Sequence, residues 1–222
     1  MKTILLLSSL VASVQALRIP FFSNRSKATL SMSNLSQQAC FGAGCYWGTE
    51  KFFKVDFSDK LFPGTDIVGK VGFMGTTGNE KENPTYREVC SGTTGHVEVF
   101  DFSYKGDEKT FEELVRFFFA FHDPTTLNRQ GNDVGTQYAS IIYYYDDKQK
   151  EIATKVKTEL QAALDAGKIK NFQDKKVATA IVPALKFYAA EAEHQAYLEK
   201  QPWGYCNHAY RFDPREWPVV AQ

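Results

Sequence analysis

Cysteine is scarce in this sequence: there are four in 222 residues, none in a Cys-x-x-Cys pair and none at a spacing that fits a common structural zinc site. Thiols this sparse do not make a disulfide-stapled scaffold. Net charge is absent as well, since 26 Lys and Arg balance 26 Asp and Glu, which leaves no electrostatic footprint for a nucleic acid. Beyond the N-terminus no apolar run approaches the ~20 residues needed to span a bilayer. The sequon Asn-x-Ser/Thr occurs only at Asn24 and Asn34, because proline disqualifies Asn83-Pro84-Thr85. No internal repeat is present. What is left is the composition of one substantial globular domain, 43% hydrophobic and 23% charged.

Acidic residues are missing from the first 49 positions, where Lys2, Arg18, Arg25 and Lys27 are the only charges and Glu50 is the first acid. Met1-Lys2-Thr3 followed by ILLLSSLVASV reads as the n-region and h-region of a signal peptide, and Val14-Gln15-Ala16 fits a small-residue cleavage site. The next stretch, LRIPFFSNRSKATLSMSNLSQQ, has the basic, Ser-rich, acid-poor composition of a transit peptide. Residues 1–35 are therefore read as a targeting segment that leads to a plastid through the secretory route, with the secretory pathway itself as the alternative. Taking its four basic residues from 26 leaves 22 against 26 acids, so the remaining domain is slightly acidic.

From there strand-like and helix-like patterns alternate. The pattern predicts strands at 38–42, 66–74, 96–104, 138–145 and 177–182. It predicts helices at 46–55, at 110–122 opened by a Thr110–Glu113 capping box, at 147–166 closed by Gly167, and at 185–200. GTTGNEKENPTY and NRQGNDVGTQ are turn-rich loops, and the chain ends in an irregular tail. This order predicts a single α+β domain over residues 36–200, a two-layer sandwich with a mixed sheet covered mainly by helices, followed by a tail over 201–222.

Several residues carry potential chemistry. Cys45 sits in FGAGCYWGTE, behind two glycines and ahead of two aromatic rings. It is either a small core residue or a nucleophile whose thiolate is favoured by the start of a helix. Strand alternation puts Glu98 on the same face as Phe100 and Phe102. A carboxyl among rings is desolvated and can hold a proton near neutrality, which suits a general acid, whereas at a sheet edge it would simply face water. Tyr86 reads as core, Cys90 and His96 as structural, and Asp133 as a turn-holding residue of GNDVGTQY, which also carries Tyr138. Cys206 follows Pro202 and Gly204 on a segment that no regular element should hold. There it makes sense as a resolving thiol that swings toward another cysteine's oxidised sulfur, or as a free surface thiol. Two other classes compete: a Cys–His hydrolase drawing on His96, His122, His194 or His208, and a metal-binding module built from Cys40, Cys45, Cys206 and His208.

Read together, Gly44-Cys45-Tyr46-Trp47-Gly48, Asn83-Pro84-Thr85-Tyr86, Glu88-Val89-Cys90-Ser91-Gly92, Thr94-Gly95-His96, His122-Asp123-Pro124, Arg129-Gln130-Gly131-Asn132-Asp133 and Gly135-Thr136-Gln137-Tyr138 resemble the signature blocks of the peptide methionine sulfoxide reductase A family. Glu191, His194-Gln195, Tyr197-Leu198 and Gly204-Tyr205-Cys206 extend the resemblance, which covers residues 38–206 in order. It implies a ferredoxin-like core and thiol-dependent reduction of the S epimer of methionine sulfoxide, free or in proteins, without a metal or other cofactor. By the same resemblance Cys45 is the nucleophile and Glu98 the proton donor. Tyr46 and Trp47 form the pocket for the substrate methyl, Tyr86 and Tyr138 bind the departing oxygen, and Asp133 supports the site. Cys206 then forms a disulfide with Cys45 that thioredoxin or another dithiol reduces, in a protein expected to be a monomer. Two departures stand out: Tyr46 where many members carry Phe, and no second cysteine in the C-terminal tail.

Overall fold

The computed structural model describes residues 37–217. The targeting segment expected at 1–35 lies outside the described residues.

A six-stranded mixed sheet organises the domain. Its strands are β1 (Gln37–Ala43), β2 (Val68–Gly75), β3 (His96–Tyr104), β6 (Ser140–Tyr144), β7 (Ala180–Pro183) and β8 (Phe187–Ala189), in the order β7-β6-β1-β3-β2-β8. Only the β6–β7 pair is parallel; the other pairs are antiparallel. A separate two-residue ladder joins β4 (Arg129–Gln130) to β5 (Asp133–Val134). Strand alternation separates two apolar faces, as period-two patterning requires. Phe41, Phe100 and Phe102 join the larger core, while Cys40, Val97 and Val99 join a smaller cluster.

Helices α1 (Tyr46–Lys51), α3 (Glu108–Phe121) and α4 (Asp147–Asp165) contribute to the larger core, which is dense in phenylalanine. Phe53 alone lies within ring-contact distance of Phe41, Phe57, Phe100, Phe102, Phe117 and Phe121. The α+β class, the mixed sheet and the helix-covered face agree with expectation.

Four local differences have identifiable causes. The helix after Cys45 does not stay α-helical to residue 55; it widens at Phe52 into a π-helical stretch, Phe52–Leu61. Its side chains repeat at five-residue intervals: Phe57 stacks on Phe62 with centroids 4.5 Å apart, and Lys51 pairs with buried Asp56. The capping box of α3 lies three residues upstream of the expected one, with Asp107 as N-cap accepting from the Thr110 amide at 3.0 Å. A short helix α2 (Tyr86–Cys90), nucleated by a Thr85–Glu88 box, starts at the last residue of the expected loop and fills a stretch to which no element was assigned.

The fourth difference is the largest. Residues 185–200 are not one helix: Phe187–Ala189 add to the sheet beside β2, and only α5 (Tyr197–Lys200) is helical. Gln195 holds the irregular stretch by accepting from the Val71 amide at 2.9 Å and donating to the Val71 and Ala190 carbonyls at 2.8 Å. Ala196, at φ 51°, is left-handed and breaks the helical run.

Candidate active site

Cys45 is delivered by the turn from β1 into α1. Gly44 takes φ 91°, and a Cβ there would meet the Gln130 side chain at 2.5 Å, so glycine is required by both conformation and space. Cys45 is the N-cap residue of α1 and is 6% exposed. The amides of Trp47 and Gly48 face its sulfur and favour the thiolate, as a helix start should. They do not win. Burial, followed by the neighbouring Glu98 carboxyl, pushes the thiol well above its ordinary value. Burial thus outweighs the helix start and makes the Cys45 thiol harder to ionise in the free protein than the sequence alone suggests.

Glu98 lies on β3, the neighbour of β1, with its side chain in the larger core face and only 2% exposed. Its Oε2 accepts from the Tyr46 amide at 3.1 Å. Burial raises its pKa to about 8 against the opposing pull of that amide, and Asp133 adds to the rise. It is a carboxylic acid at neutral pH, bonded to the residue that follows the nucleophile.

The aromatic part of the site gathers around His194. Its ring centroid lies 4.4 Å from Tyr86, 5.6 Å from Trp47 and 5.7 Å from Tyr46. Trp47 stacks on Tyr197 at 3.9 Å. The Tyr46 hydroxyl and the Trp47 Nε1 are buried without a hydrogen-bond partner. Tyr86, at the start of α2, and Tyr138, at the end of a single 3₁₀ turn, direct their hydroxyls at the Cys90 thiol. Cys90 therefore belongs to the site's surroundings rather than to remote packing.

Asp133 acts on Cys45 and Glu98 through its charge, and its direct bonds go to the tail. Its Oδ1 accepts from the Tyr205 hydroxyl at 3.0 Å and its Oδ2 from Asn207 Nδ2 at 2.7 Å. It thus grips the residues on both sides of Cys206. The tail is irregular, as expected, but it is not loose. Asn207 also donates to the Gln130 carbonyl at 2.7 Å, and the Ala209 and Arg211 amides donate to the Phe121 and Ala120 carbonyls. Cys206 itself is exposed and unbridged.

His194, Tyr197 and Tyr205 belonged to the family blocks read from the sequence, but were given no role in the reductase site. The available signal was a cluster of aromatic residues near Gln195, obscured by the helical reading of that segment.

The histidines have other engagements. His122 bonds the Phe118 carbonyl and Ser140, His96 packs edge-on to Tyr188, His194 stacks on Trp47, and His208 bonds the Ala43 carbonyl. Cys45 has a neutral acid beside it where a Cys–His hydrolase has a base, and Cys40 belongs to the cluster on the other face of the sheet. An acid that can protonate a leaving oxygen, set against a thiol that can take that oxygen, defines a thiol-dependent oxidoreductase.

Similarity makes the class specific. The family model described as peptide methionine sulfoxide reductase matches residues 37–217. A peptide methionine sulfoxide reductase MsrA from Methanothermobacter thermautotrophicus is 44% identical over 77% of this chain and 90% of its own length. The crystal structure of Mxr1 from Saccharomyces cerevisiae in reduced form aligns with TM-score 0.66 at 37% identity, covering 79% of this chain and 92% of that one. Mxr1 in complex with Trx2 shares the fold at TM-score 0.51 and 24% identity over 84% of this chain and 97% of that one. The chain belongs to the peptide methionine sulfoxide reductase family.

Proposed function

We propose that the protein reduces the S epimer of methionine sulfoxide, free or within oxidised proteins, by oxygen transfer to Cys45. The observation that carries this reading is the Glu98 carboxyl, kept protonated up to about pH 8 and anchored by the Tyr46 amide next to the nucleophile. Glu98 gives its proton to the sulfoxide oxygen while the Cys45 sulfur attacks the sulfoxide sulfur. The thiol proton restores Glu98. The balance is one sulfoxide and one thiol converted to one sulfide and one sulfenic acid.

Tyr46 and Trp47 supply apolar surface for the methyl group. The hydroxyls of Tyr86 and Tyr138, which lie beside the weak Cys90 sulfur acceptor, turn to the substrate oxygen. Asp133 orders the tail. Cys206 then attacks the Cys45 sulfenic acid, forming a Cys45–Cys206 disulfide and water. A thioredoxin or similar dithiol reduces that disulfide by exchange at the exposed Cys206. No resident metal or organic cofactor enters this scheme, and the protein acts as a monomer. Residues 1–35 supply the address, to a plastid by way of the secretory route.

The test is direct. Both epimers of a methionine sulfoxide peptide are mixed with the enzyme and a dithiol, and loss of each is followed. Consumption of the S epimer alone, abolished by Cys45→Ser, is expected; turnover that survives Cys45→Ser ends the reading.

A further inference from the structure

His208 is only 8% exposed and lies against the β1–α1 turn, bonded to the Ala43 carbonyl. Its ring sits 5.5 Å from Phe121 and 6.0 Å from Phe52, centroid to centroid. On the remaining side it presses against Gly48, where any Cβ would come within 2.0 Å of Nδ1. Only glycine at position 48 admits the imidazole, and the amide of that same residue faces the Cys45 sulfur.

The ring's tautomer follows from its partners. Nε2 lies 2.7 Å from the Ala43 carbonyl oxygen, which can only accept, so Nε2 carries the hydrogen. Burial, reinforced by Arg211 and Lys51 and opposed by the Ala43 bond, lowers the pKa to about 4, so the ring is neutral at physiological pH. Nδ1 is left with a lone pair, and the group facing it is the Cys206 thiol, with Sγ 3.9 Å away. Asp133 holds the tail on both sides of this thiol, through Tyr205 and Asn207. A thiol on the surface thus lies within reach of a buried, fixed acceptor.

We propose that His208 is the base of the recycling step, taking the Cys206 proton on Nδ1 as the Cys206 sulfur attacks the Cys45 sulfenic acid. The inference rests on the reading of Cys206 as the resolving thiol. The S–S bond forms as the Cys45 S–O bond breaks, and the departing hydroxide takes the Glu98 proton and leaves as water. Cys206 is oxidised and the Cys45 sulfur reduced. Solvent carries the proton from His208 back to Glu98, so no other reactant is needed. A base this weak does not store a thiolate at rest; it accepts the proton in concert with bond formation. The charged and titratable groups around the ring are Lys51 from α1, Arg211 from the tail, His122 at the end of α3 and Cys206 itself. Lys51 and Arg211 both oppose a second proton on the imidazole.

The experiment is a single turnover with one equivalent of sulfoxide peptide and no dithiol, acid-quenched. Methionine release and Cys45–Cys206 disulfide are read separately in each sample. His208→Gln is the variant of choice because its amide can still donate to the Ala43 carbonyl while lacking the Nδ1 base. Disulfide formation is expected to slow roughly 10–100-fold relative to methionine release, to gain a pH dependence that wild type lacks, and to recover when imidazole is added.

Should that variant not fold, the wild-type profile still decides. The disulfide step should be flat from about pH 8 down to about pH 5, where an unassisted thiol would lose about tenfold per unit. A variant that matches wild type, or one that is slow with an unchanged pH profile and no response to imidazole, overturns the base and leaves only a structural pin. A tenfold loss per pH unit in the wild type does the same. Cys206→Ser separates the two readings: a Cys45 disulfide that still forms in that variant refutes Cys206 as the resolving thiol.

Discussion

Glu98 and Cys45 constrain one another. A carboxylate at position 98 would raise the cost of a thiolate at position 45, and a neutral acid relieves it, so the pair works while Glu98 holds its proton. Glu98→Gln is expected to slow the first turnover at pH 7 by roughly 10²–10⁴-fold. In wild type the rate of that turnover should break downward as pH rises through about 8, because the active form is the protonated one. Rapid-quench methionine release on both sides of that pH checks both; a Glu98→Gln enzyme with wild-type speed removes Glu98 as the acid. Tyr46 poses a different residue-scale problem, since its hydroxyl is buried without a partner. Tyr46→Phe should stabilise the free protein by about 1 kcal/mol, read as a higher urea midpoint, and an unchanged or lower midpoint would mean that the hydroxyl is already satisfied.

At the scale of elements, the site depends on how three short pieces begin. The β1–α1 turn needs Gly44, the α2 turn needs its Thr85–Glu88 box, and the 3₁₀ turn before β6 brings in Tyr138. Because α2 has only five residues and presents Tyr86 as its first, loss of its cap should act on catalysis as well as on stability. Thr85→Ala is expected to cost about 1 kcal/mol and to slow the reductase step at the same time; denaturation and single-turnover assays on the same preparation test the link.

Elements differed in how well the sequence announced them. β3 and α4 were legible because alternation and a Gly stop signal are local. The π-helical stretch was less so, although Phe52, Phe57 and Phe62 repeat at intervals of five. Residues 185–200 misled because Ala, Glu, Gln and Leu favour helix intrinsically, and only pairing to β2 and the Gln195 bonds override that preference.

For the whole molecule, the same carboxyl that serves the site weakens the fold. The pKa of Glu98 is raised in the folded protein, so its contribution to stability is full below about pH 4.5 and is lost as pH rises toward 8. Glu98→Gln should therefore raise the unfolding free energy at pH 8 by roughly 2–4 kcal/mol and flatten its dependence on pH. Equal slopes for both proteins in urea titrations would contradict the assignment. Cys40, on the opposite face of the sheet, should be dispensable: Cys40→Ser ought to sustain wild-type multiple turnover with a dithiol. Fusion of residues 1–35 to a fluorescent reporter tests the plastid route, and a cytosolic reporter rejects it.

The sequence by itself determined the α+β class and the family blocks, and singled out the candidate reactive side chains, because turn glycines, strand alternation and ordered motifs are written locally. Only the tertiary structure decided the burial of Cys45 and Glu98, the grip of Asp133 on the tail, and the meeting of His208 with Cys206. Those depend on burial and on contacts between residues far apart in the chain, 165 positions in the case of His208 and Ala43. Desolvation and through-space electrostatics have no signature in local sequence; they exist only once the β1–α1 turn, β3 and the tail are packed together.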